Sequence, residues 1–227
     1  MLFRSPVAAG LAHPMQPDFW RARWAEGRTN FHQEAVHEQL VRHAERFLGG
    51  GPRRVLVPLC GKSVDLAWIR DRGHEVVGVE LVPEAIAAIF ERETSTAHIN
   101  AAGSFRRWTG AGMTILEGDI FGLHPDVSGT FDRIWDRAAT VALAPEQRPL
   151  YAQLLRSVLV PGGRVLMETF LYEQAQKPGP PHAVLEDELI AAWGNAERIG
   201  GADISAESKA RGWAVDRVET ATWWIRG

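Results

Sequence analysis

The chain has 227 residues, 45% of them hydrophobic and 23% charged, the size and balance of one globular domain with its own core. A formal net charge of -3, with no block of like charge, excludes a dominant attraction to nucleic acid or to an anionic membrane surface. The single cysteine, Cys60, rules out an internal disulfide, and no His/Cys cluster has zinc spacing, so a reducing, cytosolic setting without a metal is expected.

The apolar run from Val7 to Ala12 is too short to span a membrane and poor as a signal peptide, and no later stretch approaches a transmembrane length. Residues 1–14 are expected to be a dispensable, disordered extension with Met15 as an alternative start, and residues 15–227 a single domain. Pro17 to Glu26 reads as a short helix with Phe19, Trp20 and Trp24 on one apolar face. His32 to Leu48 reads as a second helix, stopped by Gly49-Gly50-Gly51-Pro52. The rhythm then changes. Arg53 to Pro58 is a strand entering a loop at Leu59-Cys60-Gly61-Lys62, and Ser63 caps a helix that runs to Arg72 and ends at Gly73. Glu75 to Glu80 is the next strand, and Pro83 opens a helix through Phe90. Phe105 to Thr109 is read as part of an edge hairpin turning at Gly110-Ala111-Gly112. Strands follow at Met113–Leu116, Phe131–Trp135 and Arg164–Phe170, with a helix from Pro145 to Leu159 between the last two. Val215 to Ile225 alternates and is read as a final antiparallel strand at the sheet edge. Strand–helix alternation of this kind builds an α/β fold, a parallel sheet covered on both faces.

Gly61-Lys62-Ser63 has the ending of a phosphate-binding P-loop, but that motif needs a glycine five residues before Gly61, where Leu56 stands inside the strand. The dinucleotide fingerprint needs three glycines after the first strand, and this loop has one. One glycine followed by an acid at the end of the second strand suits adenosine without phosphates: a carboxylate for the ribose hydroxyls and an apolar slot for adenine. Glu80 ends that strand about 20 residues past the loop, the spacing at which an acid grips a ribose. Gly118-Asp119-Ile120 follows the next strand of the same pattern, with Asp119 suited to the adenine amino group and Ile120 to the ring face. A surface carboxylate and a plain loop turn are the ordinary alternatives. Their occurrence at two successive strand ends favours a ligand.

These same residues resemble a known family. The run Val57-Pro58-Leu59-Cys60-Gly61-Lys62-Ser63-Val64-Asp65-Leu66, then Arg72-Gly73-His74 and Val77-Gly78-Val79-Glu80, resembles the thiopurine S-methyltransferase family, its bacterial branch most of all. So do Phe19-Trp20-Arg21-Ala22-Arg23-Trp24 with Phe31-His32-Gln33, Ile134-Trp135-Asp136-Arg137-Ala138-Ala139, and Pro178-Gly179-Pro180-Pro181, over residues 15 to 190 in matching order. The resemblance implies a Rossmann-like class I methyltransferase fold, a mostly parallel seven-stranded sheet with helices on both faces and an N-terminal helical cover. It implies S-adenosyl-L-methionine as donor, held by Trp20, Trp24, Leu59, Glu80, Asp119, Ile120 and Arg137, with Phe31 bordering the acceptor pocket. Two positions depart from the family pattern: His182 stands where the family has phenylalanine after Gly-Pro-Pro, and the basic residue near the acceptor falls on Lys209.

Methyl transfer from a sulfonium expels a neutral thioether, so the protein must chiefly align nucleophile, methyl and sulfur. Aromatic faces favour the cationic donor, a role for Trp20, Trp24 and Phe31 in place of plain helix packing. An aromatic thiol ionises near neutral pH, so no strong base is required, and none is readable. Arg137 is assigned to hold the thiolate, its ordinary alternative being a salt bridge to Asp136 or a nearby acid. Cys60, His32 and His74 read as structural. The expected partner is a small-molecule thiol or chalcogen acceptor, with no nucleic acid and no membrane, and the chain is expected to be a monomer. The rival readings are a halide or inorganic chalcogen methyltransferase on the same scaffold, and a non-catalytic sensor of S-adenosylmethionine. Arg137 together with the aromatic cluster argues against the sensor, and Leu56 against an ATPase.

Overall fold

The computed structural model describes residues 17–227, so the expectations for residues 1–14 and for Met15 lie outside the described residues. Three short helices lead in: α1 (Pro17–Ala25), α2 (Glu38–Arg42) and α3 (Ala44–Leu48). The helix expected over His32 to Leu48 therefore starts late and is broken. His37 is the reason for the late start. Its backbone is extended, its N–H donates to Asp65 Oδ1 at 2.9 Å, and its Nδ1 accepts from the Gln39 N–H. Such local bonds compete with helix propagation. The break falls at His43, between α2 and α3.

The apolar run of β1 (Arg54–Pro58) enters the middle of the sheet. Val55 and Val57 pack to one side and Leu56 to the other, as a strand covered on both faces requires. There follow α4 (Asp65–Arg70), β2 (Glu75–Glu80) and α5 (Pro83–Arg92). Ser63 is not the N-cap of α4, which starts after Val64, although its hydroxyl accepts from the Asp65 N–H at 3.1 Å. Next come β3 (His98–Ala102), β4 (Phe105–Gly110), β5 (Met113–Glu117), α6 (Pro125–Ser128), β6 (Phe131–Arg137), α7 (Arg148–Val158) and β7 (Leu159–Leu171). The chain finishes with α8 (Glu186–Trp193), β8 (Ala196–Gly200), α9 (Ser205–Ala210) and β9 (Glu219–Arg226).

The strand order is β3-β4-β5-β2-β1-β6-β7-β9-β8. The five strands from β5 to β7 are parallel, and β9 and β8 are antiparallel. The sheet has nine strands rather than the seven expected, because the antiparallel pair β3–β4 extends the β5 edge. In β3 four of five residues are exposed, so no apolar alternation marks it in the sequence. The final strand is also displaced from its expected place. It lies between β7 and β8 rather than at the edge, and β8, with no buried residue and only Ala196 and Ile199 apolar, carries no alternation that would reveal it. Helices α2 to α5 cover one face through Leu40, Phe47, Leu66, Ile69, Ile86 and Ile89, while α7 and α8 cover the other through Tyr151, Leu155, Val158, Leu189 and Trp193. From β1 the chain winds outward to β2 and β5; from β6 it winds the opposite way to β7. The crevice of such a sheet opens beyond the carboxyl ends of the strands at that reversal, between β1 and β6.

Candidate active site

Both strands that border the crevice leave the sheet through a strained residue. Leu59, just past β1, has φ 46°, and Ala138, just past β6, has φ 64°. Left-handed backbone at a side chain with a Cβ costs about 1 kcal/mol or more, and such strain collects at functional sites. Both residues line a cavity of about 40 Å³ together with Trp24, Phe31, Gly61, Asp65, Trp135 and Arg137. Above it the α1 region closes the mouth. Trp20 and Trp24 each meet Phe31 edge to face, at 5.7 and 5.8 Å between ring centroids. The indole of Trp24 lies directly on the loop: a Cβ on Gly61 would sit 3.4 Å from its Cζ2.

The donor-side residues stand at neighbouring strand ends. Glu80 is buried at the end of β2; its Oε2 accepts from the Gly61 N–H at 2.7 Å and its Oε1 from the N–H groups of Leu81 and Val82 at 2.9 Å. It therefore pins the β1 loop to the start of α5, with one of about four carboxylate lone-pair sites left over. Burial pushes its pKa up, and the three backbone donors pull the other way. Asp119 follows β5 and engages only Oδ1, toward the Phe121 N–H at 3.0 Å, and Ile120 beside it is buried against Leu116 and Phe105 in the same core cluster. Leu59 and Trp20 pack against that cluster as well. A carboxylate with residual capacity, a second with a spare oxygen, an apolar wall and aromatic rings make a donor set that fits an adenosyl sulfonium.

Cys60 is buried beneath the loop, where burial and the Glu80 charge hold its thiol well above the ordinary range; it is a packed neutral thiol. A Cβ on Gly78 would meet its Sγ at 2.7 Å, so the floor of the loop is filled. His74 Nδ1 accepts from the Arg53 N–H at 3.2 Å, away from the crevice, whereas His32 lines the cavity.

On the acceptor side Arg137 ends β6 and faces the cavity. Asp136 is not its partner: that carboxylate turns to the opposite side, accepting from Thr140 and from the Tyr151 hydroxyl at 2.9 Å. Among the described residues no carboxylate comes within ion-pair distance of the Arg137 guanidinium. Burial lowers its pKa, and the charges of Asp65 and Glu168 raise it. Lys209 is exposed on α9 and is absent from the cavity lining; the cation of that segment that acts on Arg137 is Arg211, just past the end of α9. His182 donates its backbone N–H to Val141 O at 2.7 Å and is half-buried outside the cavity lining.

Three further polar residues gather here that sequence reasoning did not single out. Asp65 accepts from Trp135 Nε1 at 2.8 Å and from His37, whose ring lies 5.5 Å from the Trp135 ring. His37 has its pKa lowered to about 4, by burial first and by Arg137 second. Glu168 pairs with Arg137 across the parallel β6–β7 ladder, and its Oε2 accepts from the Thr222 hydroxyl of β9 at 2.8 Å. Burial raises its pKa to about 7. A glutamate inside the apolar run Val165-Leu166-Met167-Glu168 is the signal that would have flagged it, since such a residue is rarely buried without a purpose.

A family model described as thiopurine S-methyltransferase matches residues 15–227. The thiopurine S-methyltransferase of Pseudomonas aeruginosa strain UCBPP-PA14 is 42% identical over 185 residues, which cover 82% of this chain and 85% of that protein. That of Methylococcus capsulatus is 36% identical over 217 residues, covering 93% and 98%. Among solved structures, the 1,6-didemethyltoxoflavin-N1-methyltransferase of Burkholderia thailandensis, crystallised with S-adenosylhomocysteine, superposes with a TM-score of 0.63 at 20% identity, covering 98% of this chain and 95% of that one. TehB of Haemophilus influenzae gives 0.61 at 16% identity, covering 91% of this chain and 66% of that one. These two structures share the class I methyltransferase fold with this chain, and the sequence matches carry the assignment further: the chain belongs to the thiopurine S-methyltransferase family.

Proposed function

We propose that this enzyme methylates the anionic sulfur of small aromatic or heterocyclic thiols, with anionic selenium or tellurium species as chemical relatives. Its donor is S-adenosylmethionine, which supplies an electrophilic methyl on a sulfonium. The observation that carries the acceptor reading is Arg137, a guanidinium facing the crevice with no carboxylate in ion-pair range among the described residues. Its planar donors suit a thiolate or an oxyanion and offer nothing to a neutral amine that must lose a proton. Glu80 and Asp119 would take the hydroxyl and amino groups of the adenosyl moiety, and Leu59 and Ile120 its ring. Trp20, Trp24 and Phe31 exclude water and turn aromatic surface toward a cation. Trp24 and Phe31 line the cavity together with Leu59 and Arg137, so this aromatic surface lies beside the proposed acceptor position.

The test is a panel assay with labelled S-adenosylmethionine against aromatic thiols, selenite, tellurite, halides, amines and RNA. Thiols or selenium species are expected to react, and amines and RNA not. Arg137→Ala is expected to lower turnover more than donor affinity. Faster methylation of an amine or of RNA than of any thiol or chalcogen would overturn the reading.

A further inference from the structure

We propose that Glu168 is the general base of the acceptor site, taking the proton from thiols that arrive un-ionised. The inference rests on the S-methyltransfer reading and adds to it a group that acts when the acceptor is not already a thiolate.

The argument begins with the strand register. Arg137 and Glu168 are direct partners on adjacent parallel strands, so their side chains leave the same face about 4.8 Å apart. Arg137 is the last residue of β6 and lines the cavity, and Glu168 stands beside it on β7, three residues before that strand ends and just outside the lining. An acceptor sulfur drawn to the Arg137 guanidinium therefore comes to rest beside a carboxylate on the next strand. Glu168 is 7% exposed, and β9 aims it: the Thr222 hydroxyl donates to Oε2 at 2.8 Å, with Thr220 two residues earlier on the same side of the strand. A purely structural carboxylate this deeply buried is normally neutralised by a cation in contact. Among the described residues Glu168 has none within ion-pair distance. Its charge is met by hydroxyls and by Arg137 at longer range, an arrangement that leaves its proton affinity high.

The charged groups around it act in both directions. Glu38 of α2 raises its pKa and Arg137 of β6 lowers it; beyond Arg137 stand Asp65 of α4 and Arg211 after α9. Burial dominates, and the carboxyl titrates at about 7. That value is matched to the task, because a base works best when its pKa lies near the working pH. The unperturbed pKa of a cysteine-like thiol is about 8.5, so most of it is neutral at pH 7 and needs such a base.

The step balances as follows. The thiol S–H breaks and its proton forms an O–H on the Glu168 carboxylate. A sulfur lone pair forms the new S–CH3 bond while the methyl–sulfonium bond breaks, its electron pair staying on the donor sulfur. After the products leave, the proton passes from Glu168 to water.

The experiment compares the full chain with Glu168→Gln and Glu168→Asp, using two groups of thiols: aryl thiols fully ionised at pH 7, and thiols with pKa above 8. Donor affinity by calorimetry and melting temperature are recorded for every variant. The expected result is a fall in kcat/KM for the un-ionised thiols by a factor of about 100, within the range of a lost general base. That fall should be at least tenfold larger than the fall for ionised thiols. In the parent, kcat/KM for un-ionised thiols should rise through pH 7; this limb should vanish in Glu168→Gln and return, weakened, in Glu168→Asp. Equal losses for both groups, or an unchanged pH limb in Glu168→Gln, would overturn the proposal and leave the S-methyltransferase reading standing. A parent inactive on every thiol would overturn that reading and this proposal with it.

Discussion

Glu168 and His37 both bear on Arg137 and titrate in opposite senses, and the stability of the fold should reveal both. The folded pKa of Glu168 is raised from 4.5 to about 7, so the folded state holds its proton more tightly than the unfolded chain. The stabilisation is complete below pH 4.5 and is lost as pH rises through 7. The difference of about 2.5 units, at about 1.36 kcal/mol per unit, amounts to roughly 3 kcal/mol. His37 behaves inversely. Its folded pKa is lowered from 6.5 to about 4, so it favours the fold above pH 6.5, and about 3 kcal/mol is lost as pH falls toward 4. Between pH 4.5 and 6.5 the two slopes oppose each other. Replacement of Glu168 by glutamine, an isostere of the protonated acid, should leave stability unchanged at pH 4.5 and raise it by about 3 kcal/mol at pH 8. His37→Asn keeps an oxygen to accept from the Gln39 N–H as an N-cap. Relative to the parent it should gain about 3 kcal/mol between pH 6.5 and 4. Urea unfolding at half-unit pH steps gives both difference curves, in which the other titrating groups cancel. If either variant runs parallel to the parent across its window, that side chain keeps an ordinary pKa and the electrostatic account of the acceptor side is wrong.

Glu80→Ala leaves three backbone N–H groups without their acceptor, so we expect a loss of more than about 2 kcal/mol of stability and at least tenfold weaker donor binding; unchanged affinity by calorimetry would remove Glu80 from the donor site. Hydrogen exchange over residues 17–32 should slow when S-adenosylhomocysteine is added, and identical exchange with and without it would show that the α1 region is not a cover. Gly78→Ala should cost about 1–3 kcal/mol, since the new methyl meets Cys60 Sγ at 2.7 Å and Ile115 Cδ1 at 2.8 Å. Pairing it with Cys60→Ala should recover part of that loss, and a recovery of zero by thermal melting would mean that Ile115 alone sets the clash.

The parallel core was legible because its strands are apolar on both faces and end in residues that cannot belong to them. Glu75–Glu80 was read to the residue, since the glycine before it and the proline after it fix both ends. The residues proposed for the donor follow the same logic: Glu80, Asp119 and the single-glycine loop each sit at a strand end, where spacing along the chain translates directly into spacing in space. The acceptor side is different. Glu168, Thr222, His37 and Asp65 are brought together by strand pairing and helix docking across long sequence separations, and no local pattern announces them. Lys209, the basic residue expected near the acceptor, is exposed on α9 and outside the cavity lining, and Arg211, two residues later, acts on Arg137. The edge strands β3 and β8 escaped notice because their exposed residues have no core to alternate against.

That contrast between the two sides has a consequence for how such an enzyme changes over time. Of the residues proposed for the donor, Leu59, Glu80, Asp119 and Ile120 fall in one stretch of chain from β1 to just past β5, where β2 pairs with both β1 and β5. The residues proposed for the acceptor come from separate pieces: Phe31 follows α1, Arg137 ends β6, and Glu168 of β7 is bonded to Thr222 of β9. On this proposal, a substitution on β7 or β9 changes the surroundings of Arg137 without touching Leu59, Glu80, Asp119 or Ile120. Selection can therefore try new acceptors one piece at a time while the methyl supply stays intact. His182 and Lys209, where the chain departs from the family pattern, lie outside both that stretch and the cavity lining.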